Sequence, residues 1–396
     1  MSQVTDDERP IAQTSQSTAT PTILPPGAKP AVETRRSQRP AQDGGHGAGG
    51  ASGGQIYGAL DLGTNNCRLL LARPSRRGFR VVDAFSRIIR LGEGVSQSGR
   101  LSDAAMRRTI DALRICAAKL ARADVTRARC VATEACRIAS NGREFLRRVE
   151  REVGLKLEVL DRETEASLAV SGCASLIDHN ADHVLVFDIG GGSSELIWLD
   201  LSESRADCGE AARRLGVKPK IGAWTSLPVG VVTLAERFGG HDVTPEVFEE
   251  MVAYVSDLVR PFEALHGFRA RAAQGKVHLL GTSGTVTTVA GIHLGLNRYD
   301  RARVDGCWLE IDEIRKVTYA LLAHSYEERV AEPCIGRERA DLVLAGCAIL
   351  EAILRMWPAD RLRVADRGLR EGILATLMSE DGVYRAGRRR RRQRPG

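Results

Sequence analysis

Apolar and polar positions divide the chain into three stretches. Residues 1–55 scatter isolated large apolar side chains among Ser, Thr, Pro, Gly, Gln and Ala, and 385–396 (RAGRRRRRQRPG) contain no large one. Neither stretch offers enough apolar surface to offset chain entropy, so both are expected to be disordered. From Ile56 to about Met378, periodic segments follow one another with short breaks. Ser102 precedes Met106, Ile110, Leu113, Ala117 and Leu120 at helical spacing, which predicts a capped amphipathic helix. Leu342, Ala345, Ile349, Ile353 and Met356 predict a second long helix over 336–357, stopped by Pro358. Short Val/Leu/Ile-rich runs at 184–187, 195–199 and 276–280 predict strands. Strands mixed with helices indicate an α/β protein.

The pattern also repeats. Residues 60–71 read LDLGTNNCRLLL and residues 187–198 read FDIGGGSSELIW, aligned at a constant offset of 127. Asp61 matches Asp188, Gly63 matches Gly190, and Leu69 and Leu70 match Leu196 and Ile197. Each copy is an apolar strand, Asp-x-Gly, a small polar loop and a second apolar strand. That predicts two β-hairpins with an acid and free backbone N–H groups at the tip, and hence two related domains.

Loops of this composition let a backbone approach phosphate closely, which makes Gly63, Thr64, Asn65, Gly190, Gly191, Gly192 and Ser193 candidate phosphate contacts. An Asp at the loop's start opposes phosphate unless a divalent cation lies between them. Asp61 and Asp188 are therefore candidate ligands for Mg²⁺ or another divalent ion. The run Leu280–Thr285 (LGTSGT) follows a strand and opens a helix, so Gly281, Ser283, Gly284 and Thr285 form a third candidate anion site. A ligand-free strand-to-helix turn explains that run equally well. No G-x-x-x-x-G-K-[ST] occurs, which excludes a P-loop.

Hydrolysis also needs a base for the attacking water. In DRETEASLAVSG (161–172), Glu163 and Glu165 lie two residues apart and point about 200° apart on a helix. Glu165 shares its face with Leu168, Ala169 and Gly172 and is the better base candidate; the alternative is a helix-start acid with no further role. Glu195, the charged exception in SELIWL, is either a solvent-facing strand acid or a support for the metal or the water. Arg90 in RLGEGV and Arg137 in ATEACR could pair with substrate phosphates, with surface ion pairs as the alternative.

Charge changes the picture less than its total implies. Of the net +7, the segment 56–384 contributes nothing, because its bases and acids are equal in number; the excess sits in the seven arginines of 385–396. That tail is either a tether for polyphosphate or RNA or a solvated extension. Nine scattered cysteines without C-x-x-C or Cys/His spacing argue for a reducing compartment and against structural zinc. No basic-then-apolar leader and no apolar stretch of about 18 residues occur, so a soluble, cytoplasmic protein with no membrane contact is expected.

Taken in order, ALDLGTNNCRLL (59–70), RLGEGV (90–95), ATEACR (132–137), RETEA (162–166), VFDIGGGSSEL (186–196), LPVGVVTLAERF (227–238), GTSGT (281–285) and ADRGLREGIL (365–374) resemble the Ppx/GppA phosphatase family. The resemblance covers about 56–380. It implies two ribonuclease-H-like domains of the actin/hexokinase/Hsp70-like ATPase superfamily around a central cleft, here 56–181 and 182–384, with a C-terminal helix returning to the first. It implies Mg²⁺-dependent hydrolysis of terminal phosphates, with Glu165 as catalytic base and Asp188, Gly190 and Glu195 in the second motif. The leading expectation is an exopolyphosphatase. The alternatives are a guanosine pentaphosphate 5′-phosphohydrolase, a non-catalytic polyphosphate or nucleotide sensor, or a sugar kinase-like ATPase; no aromatic residue near GTSGT decides between the substrates. A homodimer is the other partner expected. Departures are the Thr164 inserted between the acids, the long 200–224 stretch, and the lack of residues after 380 for an HD-type helical domain, which marks the short two-domain form.

Overall fold

The computed structural model describes residues 55–75, 78–178, 180–201, 220–274 and 277–383. The expectations for 1–54 and 385–396, and for most of the 200–224 stretch, fall outside them. Eleven strands lie within the described residues: β1 (Tyr57–Leu62), β2 (Asn66–Ser75), β3 (Gly78–Ile88), β4 (Arg127–Ala132), β5 (Glu158–Val159), β6 (His183–Ile189), β7 (Ser194–Asp200), β8 (Lys220–Leu227), β9 (Val277–Thr282), β10 (Trp308–Glu310) and β11 (Arg361–Ala365). The principal helices are α1 (Asp103–Arg122), α2 (Glu134–Ile138), α3 (Gly142–Val153), α4 (Arg162–Cys173), α5 (Val231–Phe238), α6 (Pro245–His266), α7 (Gly284–His293), α8 (Ile311–Ala323), α9 (Val343–Met356) and α10 (Leu369–Glu380).

The strands form two sheets, in orders β3-β2-β1-β4-β5 and β10-β11-β9-β6-β7-β8. Each contains an antiparallel meander (β1-β2-β3; β6-β7-β8) followed by strands parallel to its first member (β4, β5; β9, β11). The duplicated hairpin thus belongs to a duplicated sheet, with β10 added at one edge.

Alternation along the strands places different residues on the two faces. In the first sheet Leu60, Leu62, Leu69 and Leu71 cluster with Met106, Ile110 and Leu113 of α1, while Tyr57, Ala59, Leu70 and Ala72 cluster with Ile373, Leu374, Leu377 and Met378 of α10. In the second, Leu185, Phe187, Leu196 and Trp198 join α6 and α9, while Val184, Val186, Ile197 and Leu199 cover Ala166, Val170 and Cys173 of α4. Each sheet therefore lends a helix to the other: α4 follows the first sheet and packs on the second, and α10 follows the second and packs on the first.

These two helices touch closely. A Cβ added at Gly172 would collide with the Gly368 carbonyl, and one at Gly372 with the Leu168 carbonyl, so only glycine permits this approach. Ser102 caps α1, its side chain accepting from the Ala105 N–H at 3.2 Å. The helix expected over 336–357 is shorter. It begins at Val343: Gly336 takes a left-handed φ of 71°, and the mostly charged Arg337–Asp341 run that follows forms turns that bury only Ala340. Among the described residues no helix is long and apolar enough to cross a membrane.

Candidate active site

Both hairpins close with the same turn: the Gly63 N–H donates to the Asn66 carbonyl and the Gly190 N–H to the Ser193 carbonyl, each at 2.9 Å. Each tip is held by a second loop. Ile89 and Arg90 N–H donate to the Asn65 carbonyl (2.8 and 3.1 Å) and Gly92 N–H to the Thr64 carbonyl (2.9 Å). At the other tip, the first amides of α5, Val231 and Val232, donate to the Gly190 and Gly191 carbonyls (3.0 and 2.8 Å). The RLGEGV and LPVG motifs are these supporting loops.

The tips meet. A Cβ on Gly191 would lie 3.0 Å from Thr64 Cβ and 3.1 Å from Asn65 N, so the second tip has no room for side chains. Among the described residues the amides of Thr64, Asn65, Gly191 and Gly192 find no acceptor. Four unspent donors beside a junction of two loops make an anion-binding surface.

Four carboxylates converge below it. Asp61 pairs across the ladder with Arg68, and Asp188 with Glu195. Asp61 is the one half-buried position in the otherwise buried β1. Burial raises its pKa, opposed by the guanidinium groups of Arg68 and Arg370. Asp188 is pushed up to about 7, chiefly by burial and then by Glu195 and Asp61, against Arg68. Glu195 is buried and accepts from Ser193 Oγ (2.7 Å) and Ser226 Oγ (3.1 Å); burial raises its pKa and the two hydroxyls oppose the rise.

Glu165 stands in the first turns of α4, whose start is fixed by Asp161 accepting from the Thr164 N–H at 2.8 Å. Arg137 Nη1 donates to Glu165 Oε2 (3.1 Å) and to the Leu160 carbonyl (2.6 Å). Burial, Glu195 and Asp61 nevertheless hold the Glu165 pKa well above the ordinary carboxylate range. Arg137 itself is gripped by Glu134, whose other oxygen accepts from Arg162 at 2.7 Å. Glu163 points outward and is exposed.

Other candidates are placed elsewhere. Arg90 pairs with Asp341 (2.8 Å) and the Glu338 carbonyl, away from the four acids. In GTSGT, Gly281 packs over the Phe187 ring inside β9, and Thr285 is buried against Gly346 of α9. Ser283 caps α7, accepting from the Val286 N–H at 3.1 Å, and Gly284 borders open space. Sequence reasoning passed over Arg68, Arg370, Glu134 and Tyr299. Arg68 was signalled by its place in the repeat, opposite Asp61, and Glu134 by its i, i+3 spacing to Arg137. Tyr299 stands close to the helix that GTSGT opens: its hydroxyl donates to Asp366 Oδ2 (2.6 Å) and is hydrogen-bonded to Thr287 of α7.

Among the described residues no three His, Cys, Asp or Glu side chains form a self-sufficient metal site. Two facing half-buried aspartates with raised pKa values do suit a hard cation that keeps water or phosphate oxygens in its shell.

The chain matches the model of the Ppx/GppA phosphatase family over residues 71–381. Among curated proteins it is similar to the guanosine-5′-triphosphate,3′-diphosphate pyrophosphatases of Aeromonas hydrophila subsp. hydrophila (27% identical over 327 residues, 82% of this chain and 60% of the relative) and Aeromonas salmonicida (28% over 330 residues, with the same shares). The chain thus spans about three fifths of the length of these relatives. Among solved structures, an exopolyphosphatase from Cytophaga hutchinsonii superposes with a TM-score of 0.72 at 25% identity, covering 82% of this chain and 98% of that one. The Aquifex aeolicus Ppx/GppA member gives 0.64 at 29%, covering 83% and 98%. These neighbours have the actin-like ATPase fold, of which the two matching sheets are the duplicated halves.

Proposed function

Because the chain belongs to the Ppx/GppA phosphatase family, we propose that it hydrolytically releases terminal orthophosphate from inorganic polyphosphate. The observation that carries this reading is the convergence of Asp61, Glu165, Asp188 and Glu195 under the joined tips, where Glu195 and Asp61 add to burial in raising the pKa values of Glu165 and Asp188. Such coupling in a crevice marks acid–base machinery.

The amides of Thr64, Asn65, Gly191 and Gly192, with Ser193 and Gly284, hold the phosphate chain. Asp61 and Asp188 would bind a divalent cation such as Mg²⁺, which when present neutralises charge on phosphate oxygens. Glu165, ionised and oriented by Arg137, accepts a proton as water attacks the terminal phosphorus in line. The new O–P bond forms as the bridging P–O bond breaks, and its electron pair leaves on the shortened chain. Glu195, fixed by Ser193 and Ser226, orients the water.

A guanosine 5′-triphosphate,3′-diphosphate phosphohydrolase is the second reading, favoured by the names of the curated relatives. A phosphate-release panel over short polyphosphate, long polyphosphate and that nucleotide separates the two. In the same panel Glu165→Gln lowers turnover by about 10²–10⁴-fold with folding intact. Near-normal turnover in that variant removes Glu165 as the base.

A further inference from the structure

The registers of the second sheet line up a row that extends beyond the acids. Glu195 stands opposite Asp188, Asp188 opposite Thr282, and Thr282 opposite Ala365. In parallel sheets, ligands bind outside the carboxyl ends of the strands, where β6, β9 and β11 end on this row. Two strand spacings separate Asp188 from Ala365, about 10 Å. That is the reach of a triphosphate and its sugar, measured from the phosphorus under attack. The next residue, Asp366, receives the Tyr299 hydroxyl.

Tyr299 is built as a fixed plate. Its polar end is tied to Asp366 and to Thr287 of α7, while Arg301 Nε lies 3.4 Å from the same Asp366 oxygen. The hydroxyl is engaged, yet the residue as a whole keeps 38% exposure. Asn297 and Arg298 beside it are exposed as well, and an amide offers both donors and acceptors to a base edge. A rigid aromatic ring at the end of a phosphate track suits a planar base and has nothing to hold on an inorganic chain.

We propose that Tyr299 is the specificity element for nucleoside 5′-polyphosphates, stacking against the base while the terminal phosphate lies under the four acids. This rests on the phosphohydrolase reading above. Inorganic polyphosphate would use the track alone.

The test is kcat/KM for phosphate release from guanosine 5′-triphosphate,3′-diphosphate and from polyphosphate, in wild type, Tyr299→Ala and Tyr299→Phe. The alanine variant is expected to lower the nucleotide-to-polyphosphate ratio by roughly 5- to 150-fold, the worth of one base–aromatic stack. The phenylalanine variant keeps the ring and the wild-type ratio. An unchanged ratio in Tyr299→Ala, or an equal fall in Tyr299→Phe, overturns the inference. If wild type releases phosphate from neither compound, the hydrolase reading fails separately. Calorimetry then decides: Tyr299→Ala weakens binding of the nucleotide relative to tripolyphosphate if the plate is real, and equal weakening or none refutes it.

Discussion

The two hairpins share a turn, a strand order and an aspartate, yet they differ at the position opposite that aspartate. In the first, Asp61 faces Arg68; in the second, Asp188 faces Glu195. Arg68 opposes the rise in the pKa of both aspartates, whereas Glu195 adds to burial in pushing Asp188 up to about 7. One half of the duplication therefore relieves negative charge and the other concentrates it. The proposed hydrolysis of a polyanion needs both: acids to handle water and cation, and positive charge to admit the substrate.

Breaking the comparison at Glu195 has the largest expected effect. Under the proposed mechanism Glu195→Gln lowers turnover by about 10²-fold, because the water loses its second carboxylate. It also removes a negative neighbour of Asp188 and Glu165, so both pKa values fall. Activity requires these carboxylates ionised and rises with pH through their pKa values, so the residual activity has an acid limb moved to lower pH. Arg68→Gln removes the opposing charge and moves the limb to higher pH. A pH–rate profile in which both variants shift the same way refutes the division of roles.

A smaller contrast concerns the strands parallel to each hairpin. His278 in β9 stands opposite Val184, and Arg127 in β4 holds the matching place opposite Tyr57. Arg127 pairs with Glu380 and Asp381 at the surface and stays charged. His278 is buried, accepts from the Asp178 N–H at 3.0 Å, and burial lowers its pKa from 6.5 to about 4. The folded state thus binds this proton less readily than the unfolded chain. The stabilisation is fully present above pH 6.5 and is lost as pH falls toward 4, on the order of 3 kcal/mol in all. Urea unfolding from pH 7 to 4 should show this slope in wild type and a flatter one in His278→Gln; equal slopes would clear His278 of the effect.

The legible parts of this molecule are those whose meaning is local. The repeat is visible because a strand, its turn and its acid lie within a dozen residues. Asp61, Asp188 and Glu195 stand out as acids in apolar strands, and Glu165 through helix geometry over a single turn. Long-range partners carry no such signal. Arg90 reads as a phosphate ligand until Asp341, 251 positions away, takes it. Thr285 reads the same way until Gly346 opens a niche for it. Tyr299 gains its fixed orientation from Asp366, which follows it by 67 residues. The helix expected from 336 begins instead at Val343, because residues 337–342 form turns after the left-handed Gly336, a backbone choice that apolar spacing does not reveal.

The smallest effect sharpens the comparison at the turns themselves. Gly63 and Gly190 are equivalent in the repeat and donate the same hydrogen bond, but their surroundings differ. A Cβ on Gly63 would lie 3.4 Å from the Asn66 carbonyl oxygen, an ordinary contact. A Cβ on Gly190 would lie 2.7 Å from the Ser193 carbonyl oxygen, which is backbone and cannot swing aside. Gly63→Ala should then cost about 1 kcal/mol or less. Gly190→Ala should cost ~1–3 kcal/mol and raise KM, since relieving the clash displaces Ser193 and with it the hydroxyl on Glu195. Denaturation midpoints and KM values for the two variants measure this directly. Equal costs would mean that the second turn relaxes as freely as the first, and that its tightness plays no part in holding Glu195.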